Sequence, residues 1–388
     1  MPLMQAFKLS DKNDVTVFCT MYDKEKCFPE LMRKLKVKRF FYDIPFPKIR
    51  RSVNHLAAYI YNSINPRKFS NYDLLICNHQ PSIWLGYRAK KRYGVPYIYY
   101  AQGISRELYP REVDLNVKDN WDKDRSVPTG LFSKISHFKK IDKKAVREAD
   151  AVLTVSKKIS KELETIFGRD DVKICNPCVD VDKFKRYPEE DTKGVVDKFR
   201  IGRPFILTTN RHEAHKKLDW LVDMMKFVVK TYPESSLVIT GKKNDFYTPF
   251  LEKRIKDLNL EKNVILTNEI TDYELVSLYN QADVYVYSPP EEDFGLGPIE
   301  AMSCGTVPIA WNAAGPKESI IDGENGFLAE PYRIEDMAEK VLKFLSDERL
   351  KEKMREKCRK HVVQNYSWEK HMEVLEGTII EVLDKNKN

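Results

Sequence analysis

The chain has 388 residues, 42% of them hydrophobic and 32% charged, with a formal net charge of +8. That length suits two domains better than one, and the composition excludes a disordered or fibrous chain. No apolar run approaches the roughly 20 residues needed to span a bilayer, which excludes an integral membrane helix in this sequence.

The predicted elements alternate along the chain. Strand-like runs fall at Val15–Thr20, Arg39–Tyr42, Leu74–Cys77, Tyr97–Ala101, Val152–Val155 and Val172–Cys175. Helical patterns lie between most of them, at Val53–Ile64, Ile83–Tyr93 and Lys139–Ala149. The polar stretch Lys185–Pro204, with prolines at both ends and two glycines inside, reads as a linker. Strands then resume at Phe205–Thr209, Leu237–Thr240, Val264–Thr267, Val284–Tyr287, Val307–Ala310 and Phe327–Ala329. Their helices are Lys217–Thr231, Pro249–Leu258, Asp272–Asn280 and Ile334–Leu345. Such alternation predicts an α/β protein with parallel, doubly wound sheets. A Rossmann-type half opens with a strand and a glycine-containing turn, and nothing before Val15 resembles one. Either the first domain is differently built or the chain starts late.

Charge is divided unevenly. Residues 1–200 hold 40 Lys and Arg against 26 Asp and Glu, and the remainder holds 26 against 32. An anionic partner for the first half or a solvated lysine-rich surface would each account for this. The segment Arg33–Arg51 interleaves eight basic residues with aromatics and one Asp, a composition able to lie on an anionic membrane or to form a basic solvated face. No nucleic-acid reader motif accompanies the basic half. Seven cysteines without a secretory start predict free thiols and a cytoplasmic setting. Cys175 and Cys178 form a lone CxxC with no second pair, a weak case for metal or redox chemistry.

Chemistry concentrates between Val284 and Pro331. A strand, a Pro/Glu/Gly loop, a helix near Pro298 and a strand at Val307 form one βαβ unit. Gly297 and Pro298 suit an N-cap and first helical position, which puts Glu300 in the first turn. A helix-terminus role would account for Glu300 alone. Glu292, seven intervening residues earlier, and the loop Phe294-Gly295-Leu296 change the balance. Loop amides grip phosphate or sugar oxygens, and two carboxylates accept from vicinal hydroxyls. Arg211 and Lys216 follow the strand FILTT and supply a donor fork and a mobile charge suited to a diphosphate.

The stretch EEDFGLGPIEAMSCGTVPIA…GPKESI…GENGFL, with ADAVLTVSKKIS, NPCVDVDKF and YSWEKHMEVLEG, resembles the family 4 glycosyltransferases of the GT-B fold. The resemblance implies two Rossmann-like domains with parallel sheets facing across a cleft, residues 1–197 and 198–365. It also implies a final helix, 366–388, crossing back to the first domain. The implied reaction is retaining hexose transfer from a nucleotide sugar, with no metal or other cofactor. Glu292 would contact the hexose and Glu300 the ribose, Arg211 and Lys216 the diphosphate, and the Phe294–Leu296 loop the sugar and phosphate. Lys217 stands where the family has a glycine, so either Lys216 or Lys217 could serve. The family's N-terminal strand and glycine loop are absent. His79 and Gln102 are left as acceptor-side candidates, His79 equally readable as a local structural residue. TTNRHEAHKKLDW and FGLGPIEAMSCGTVPIAWNAAGPKESI look most like mannosyltransferases of lipid-linked oligosaccharide assembly. That implies GDP-mannose as donor, a UDP-sugar as the alternative, and a polyprenyl-diphosphate glycan acceptor at the cytoplasmic membrane face. The rival readings are a nucleotide-sugar epimerase on the same fold and a non-catalytic donor-binding subunit.

Overall fold

The computed structural model describes residues 1–19, 28–39, 66–106, 108–111 and 136–387. The expected helix Val53–Ile64, the end of the expected strand Arg39–Tyr42 and most of the basic segment Arg33–Arg51 lie outside them.

The chain begins with the helix Pro2–Leu9 and then strand β1, Thr16–Cys19, which pairs in parallel with β2, Lys36–Arg39. A separate parallel sheet runs in chain order through β3 (Leu75–Asn78), β4 (Tyr97–Ala101), β5 (Ala151–Thr154) and β6 (Lys173–Ile174). Every residue of β4 is buried, as a strand covered on both faces requires.

The second sheet holds β7 (Phe205–Thr209), β8 (Ser236–Thr240), β9 (Val264–Leu266), β10 (Val284–Tyr287), β11 (Pro308–Trp311) and β12 (Phe327–Ala329). Its spatial order is β12-β11-β10-β7-β8-β9, all parallel. The chain therefore steps outward from β7 to β9, returns to the other side of β7 at β10, and steps outward again. Loops leaving β7 and β10 diverge at that reversal and open a crevice at the strand ends, where ligands bind in open α/β sheets.

Lys185–Pro204, expected as a linker, carries the helices Glu189–Thr192 and Gly194–Phe199. Gln281 donates to Thr192 Oγ1 at 2.8 Å and Asn280 to the Lys185 carbonyl at 3.0 Å, so these helices are fastened to the helix Asp272–Gln281. The last helix, Trp368–Lys385, packs on the first domain. His371 Nδ1 lies 2.7 Å from the Asn176 carbonyl and its Nε2 2.8 Å from Gln5 Nε2, while Lys8 sits over the Trp368 ring.

Candidate functional site

A cavity of about 400 Å³ lies between the two sheets at the reversal point. From the second domain its wall takes Thr209 at the end of β7, Asn210 and Lys216 after it, Tyr287 at the end of β10, and Glu292 to Gly297 with Glu300. The first domain contributes Met1, Tyr100, Gln102, Val155 and Pro177. The fold thus brings together Glu292, Phe294, Gly295, Leu296, Glu300, Lys216 and Gln102.

The helix that carries Glu300 runs from Leu296 to Ser303 with Gly295 as N-cap, two residues earlier than Gly297 and Pro298 predict. Gly295 has a φ of 93°, open to glycine and strained for other residues, so the turn can begin there. Glu300 is consequently past the first turn. The helix-terminus account of this residue loses its geometry, and Glu300 instead faces the cavity, where Tyr279 donates to its Oε2 at 2.8 Å. Burial pushes its carboxyl above the ordinary range, against the downward pull of the Tyr279 hydrogen bond.

Glu292 is organised differently. Lys216 Nζ lies 2.7 Å from its Oε2 and the Tyr287 hydroxyl donates to the same oxygen at 2.9 Å. Burial raises this carboxyl too, but the Lys216 charge and the two hydrogen bonds outweigh it and hold Glu292 below its usual range. Lys216 is itself braced, because Ser288 Oγ donates to its carbonyl at 2.7 Å and Trp311 Nε1 donates to the Ser288 carbonyl at 2.8 Å. The Glu292 loop rests on Gly315, whose amide donates to the Glu292 carbonyl at 2.9 Å. A Cβ on Gly315 would run into the Phe294 backbone. Phe294 buries its ring against Tyr366, with centroids 5.6 Å apart, and Leu296 stays exposed at the helix start.

Three expected residues stand elsewhere. Arg211 does not join the cavity wall: a tight turn brings Glu213 beside it, and that carboxylate captures the guanidinium at 2.6 Å on an exposed side chain. Lys217 occupies a left-handed position, φ 51°, and its ammonium lies over the Trp220 ring, so Lys216 rather than Lys217 reaches the cavity. His79 is exposed, with φ 57°, and its carbonyl accepts from Ser82 Oγ at 2.5 Å at the start of the helix Ser82–Tyr93. It is a turn residue, away from the cavity wall. Gln102 does reach the wall, where its amide meets Asn78 Oδ1 at 3.3 Å.

The tyrosines of this site escaped sequence reasoning. Tyr285 and Tyr287 share one face of β10, and Thr209 Oγ1 lies 2.7 Å from the Tyr279 hydroxyl and 2.9 Å from that of Tyr285. The alternation VYVY at the end of a buried strand was the available signal. Cys175 and Cys178 are buried thiols, Cys175 pushed up to about 12 by desolvation, which keeps it protonated and inert. Among the described residues no group of three or more His, Cys, Asp or Glu side chains could hold a metal ion.

Two family models match this chain: Glycosyltransferase Family 4 over residues 6–183 and Glycosyl transferases group 1 over residues 193–361. The chain belongs to the family 4, group 1 glycosyltransferases. Curated members of this glycosyltransferase family resemble it at modest identity. The GDP-mannose-dependent alpha-(1-6)-phosphatidylinositol monomannoside mannosyltransferase of Mycolicibacterium smegmatis is 25% identical over 57% of this chain and 59% of its own length. The human alpha-1,3/1,6-mannosyltransferase is 26% identical over 61% of this chain and 59% of its own. Mannosylfructose-phosphate synthase of Agrobacterium fabrum is 27% identical over 45% and 40%. The matched part of this glycosyltransferase chain thus spans about half the length of those relatives. Among solved structures, Anabaena HepE in complex with UDP superposes with a TM-score of 0.77 at 17% identity, covering 98% of this chain and 95% of that one. Sucrose-phosphate synthase of Thermosynechococcus elongatus gives 0.78 at 18%, covering 99% and 92%. These likenesses establish the GT-B fold, with parallel sheets in two domains.

Proposed function

We propose that this chain is a retaining glycosyltransferase that moves a hexose from a nucleotide sugar to a glycan acceptor. The observation that carries the reading is the placement of Glu292, Lys216 and Glu300 around one cavity, with Gly295 and Leu296 at a helix start between them. In this reading Glu300 accepts from the ribose hydroxyls and Glu292, kept ionised, accepts from the hexose. Lys216 and the helix N-terminus offset the charge that develops on the departing diphosphate, without a metal. Arg211 takes no part in the arrangement described and would have to leave Glu213 to reach the phosphates. The acceptor hydroxyl attacks the anomeric carbon from the face the nucleoside diphosphate leaves, and the leaving phosphate takes its proton. No wall residue from the first domain is an Asp, Glu or His, which favours that proton route among the described residues.

GDP-mannose is the favoured donor, on the GDP-mannose dependence of the mycobacterial relative and the mannosyltransferase activity of the human one. A UDP-sugar is the alternative, on the UDP in the HepE structure. The phosphatidylinositol monomannoside in the name of the mycobacterial relative favours a lipid-linked acceptor, and the basic Arg33–Arg51 segment fits a peripheral, cytoplasmic-face location. No helix of the described residues is long and apolar enough to cross a membrane.

The test is a donor screen with GDP- and UDP-sugars against a short-chain polyprenyl-diphosphate glycan. Transfer with retained anomeric configuration is expected. Epimer formation from donor alone, or donor binding without transfer to any acceptor, would replace this reading with one of its rivals.

A further inference from the structure

The loop Glu291-Glu292-Asp293 places three carboxylates in a row beside the cavity. Within the second domain Lys216 is the cation paired with this loop, and it takes Glu292. The other two carboxylates are paired from the first domain. Lys158 Nζ lies 3.3 Å from both Glu291 Oε2 and Asp293 Oδ1, and 3.2 Å and 3.5 Å from the Glu291 and Glu292 carbonyls. Arg111 donates to Asp293 Oδ1 at 2.6 Å and to the Glu291 carbonyl at 3.2 Å, while holding Glu162 of its own domain at 3.0 Å.

A second contact fixes the same helix across the cleft. Ser156 caps the helix Lys157–Phe167, and the amides of Lys157 and Lys158 donate to the Glu318 carboxylate at 2.8 and 3.1 Å. Gly103 leaves room for Asp293 to approach, since a Cβ there would sit 2.7 Å from its carboxylate.

We infer that Lys158, seconded by Arg111, is a cross-cleft positioning residue that couples domain closure to the placement of Glu292. The inference rests on the donor-site reading of Glu292. Adjacent like charges repel, and both cations are more than four-fifths shielded from solvent, where ion pairing is screened least. With the cleft closed, Lys158 and Arg111 neutralise Glu291 and Asp293, and Lys216 is left to Glu292. With the cleft open, three carboxylates compete for Lys216, and the loop loses the ammonium that gathers its carbonyls. The donor site is thus completed only when the first domain is in place.

The test compares the full chain with Lys158→Met and Lys158→Arg. Small-angle X-ray scattering reads the separation of the domains, GDP and UDP titration reads the nucleotide site, and the donor screen reads turnover. Lys158→Met is expected to enlarge the radius of gyration and lower kcat at least about tenfold, with nucleotide affinity within about threefold of wild type. Lys158→Arg should restore both. Wild-type turnover with an unchanged radius overturns the inference. So does a loss of nucleotide affinity equal to the loss of turnover, which marks a local loop defect without coupling. Should the wild type bind neither nucleotide, the donor reading itself falls. The scattering comparison then decides the clamp alone: an enlarged radius upholds it and an unchanged one overturns it.

Discussion

Lys216 and Glu292, 76 residues apart in sequence, meet at 2.7 Å on the cavity wall, each brought there by a loop leaving one of two adjacent strands. In the proposed donor site the pair is a working unit rather than a stability device. Its cation is expected on the phosphates and its carboxylate on the sugar, so the ion pair is a resting state that a donor would rearrange. Glu292→Ala should lower kcat by about 10² or more, and Lys216→Met similarly, with both variants folded. The double variant should lose far less than the product of the two, because either change disables the same unit. Steady-state kinetics on the four proteins check this, and independent, multiplying losses would separate the two roles.

Tyr287 assists Lys216 in holding Glu292 in its ionised form. Tyr287→Phe removes one of the hydrogen bonds that lower this carboxyl and should move it upward. The sign follows directly: a carboxylate held below its unfolded value is ionised over a wider acid range, and weakening its partners narrows that range. The acid limb of kcat/KM should therefore move to higher pH, with turnover at neutral pH reduced less than about tenfold. A pH–rate profile on both proteins reads the shift, and an unmoved limb would place Tyr287 outside the titration.

Glu300 presents the opposite case. Its folded carboxyl is raised by burial, so its ionised form costs stability. A raised folded value favours the fold at acid pH and loses that contribution as pH rises through it. Glu300→Gln should accordingly raise the melting temperature at neutral pH while weakening nucleotide binding by about tenfold or more. Calorimetry and a nucleotide titration measure the two effects. A variant that loses both stability and affinity would make Glu300 a structural residue.

Gly315 supports the donor loop by having no side chain. Gly315→Ala forces its Cβ into the Phe294 backbone, which must move with the Glu292 carbonyl it borders. The expected cost is about 1–3 kcal/mol of stability, as for other overpacked sites, together with loss of turnover. Denaturant unfolding and the transfer assay check it, and a variant with wild-type turnover would show that the loop tolerates displacement.

Most of the architecture was legible because buried parallel strands read as short apolar runs. FILTT, VYVY and FLA end where the runs do. The two glutamates and Lys216 could be singled out as candidates because residue type and spacing suggest their chemistry, and the fold brings them to one cavity. The rest depended on what meets across the fold. Sequence spacing makes Arg211 as good a phosphate ligand as Lys216, yet a turn gives its guanidinium to Glu213. His79 reads as a strand-end histidine, and a left-handed backbone makes it a turn residue ahead of the helix Ser82–Tyr93. Lys185–Pro204 reads as a linker because its residues are polar, and its two short helices depend on partners on the helix Asp272–Gln281 that local pattern does not show.

The sequence by itself determined the fold class and singled out the carboxylates of the Glu291–Asp293 loop, since each is written in local pattern, whereas the order of the strands came from the fold. Only the tertiary structure decided that the flanking acids, Glu291 and Asp293, belong to the first domain's cations and Glu292 to Lys216. Which charge pairs with which is settled by distances between residues far apart in the chain, and local pattern holds no record of them.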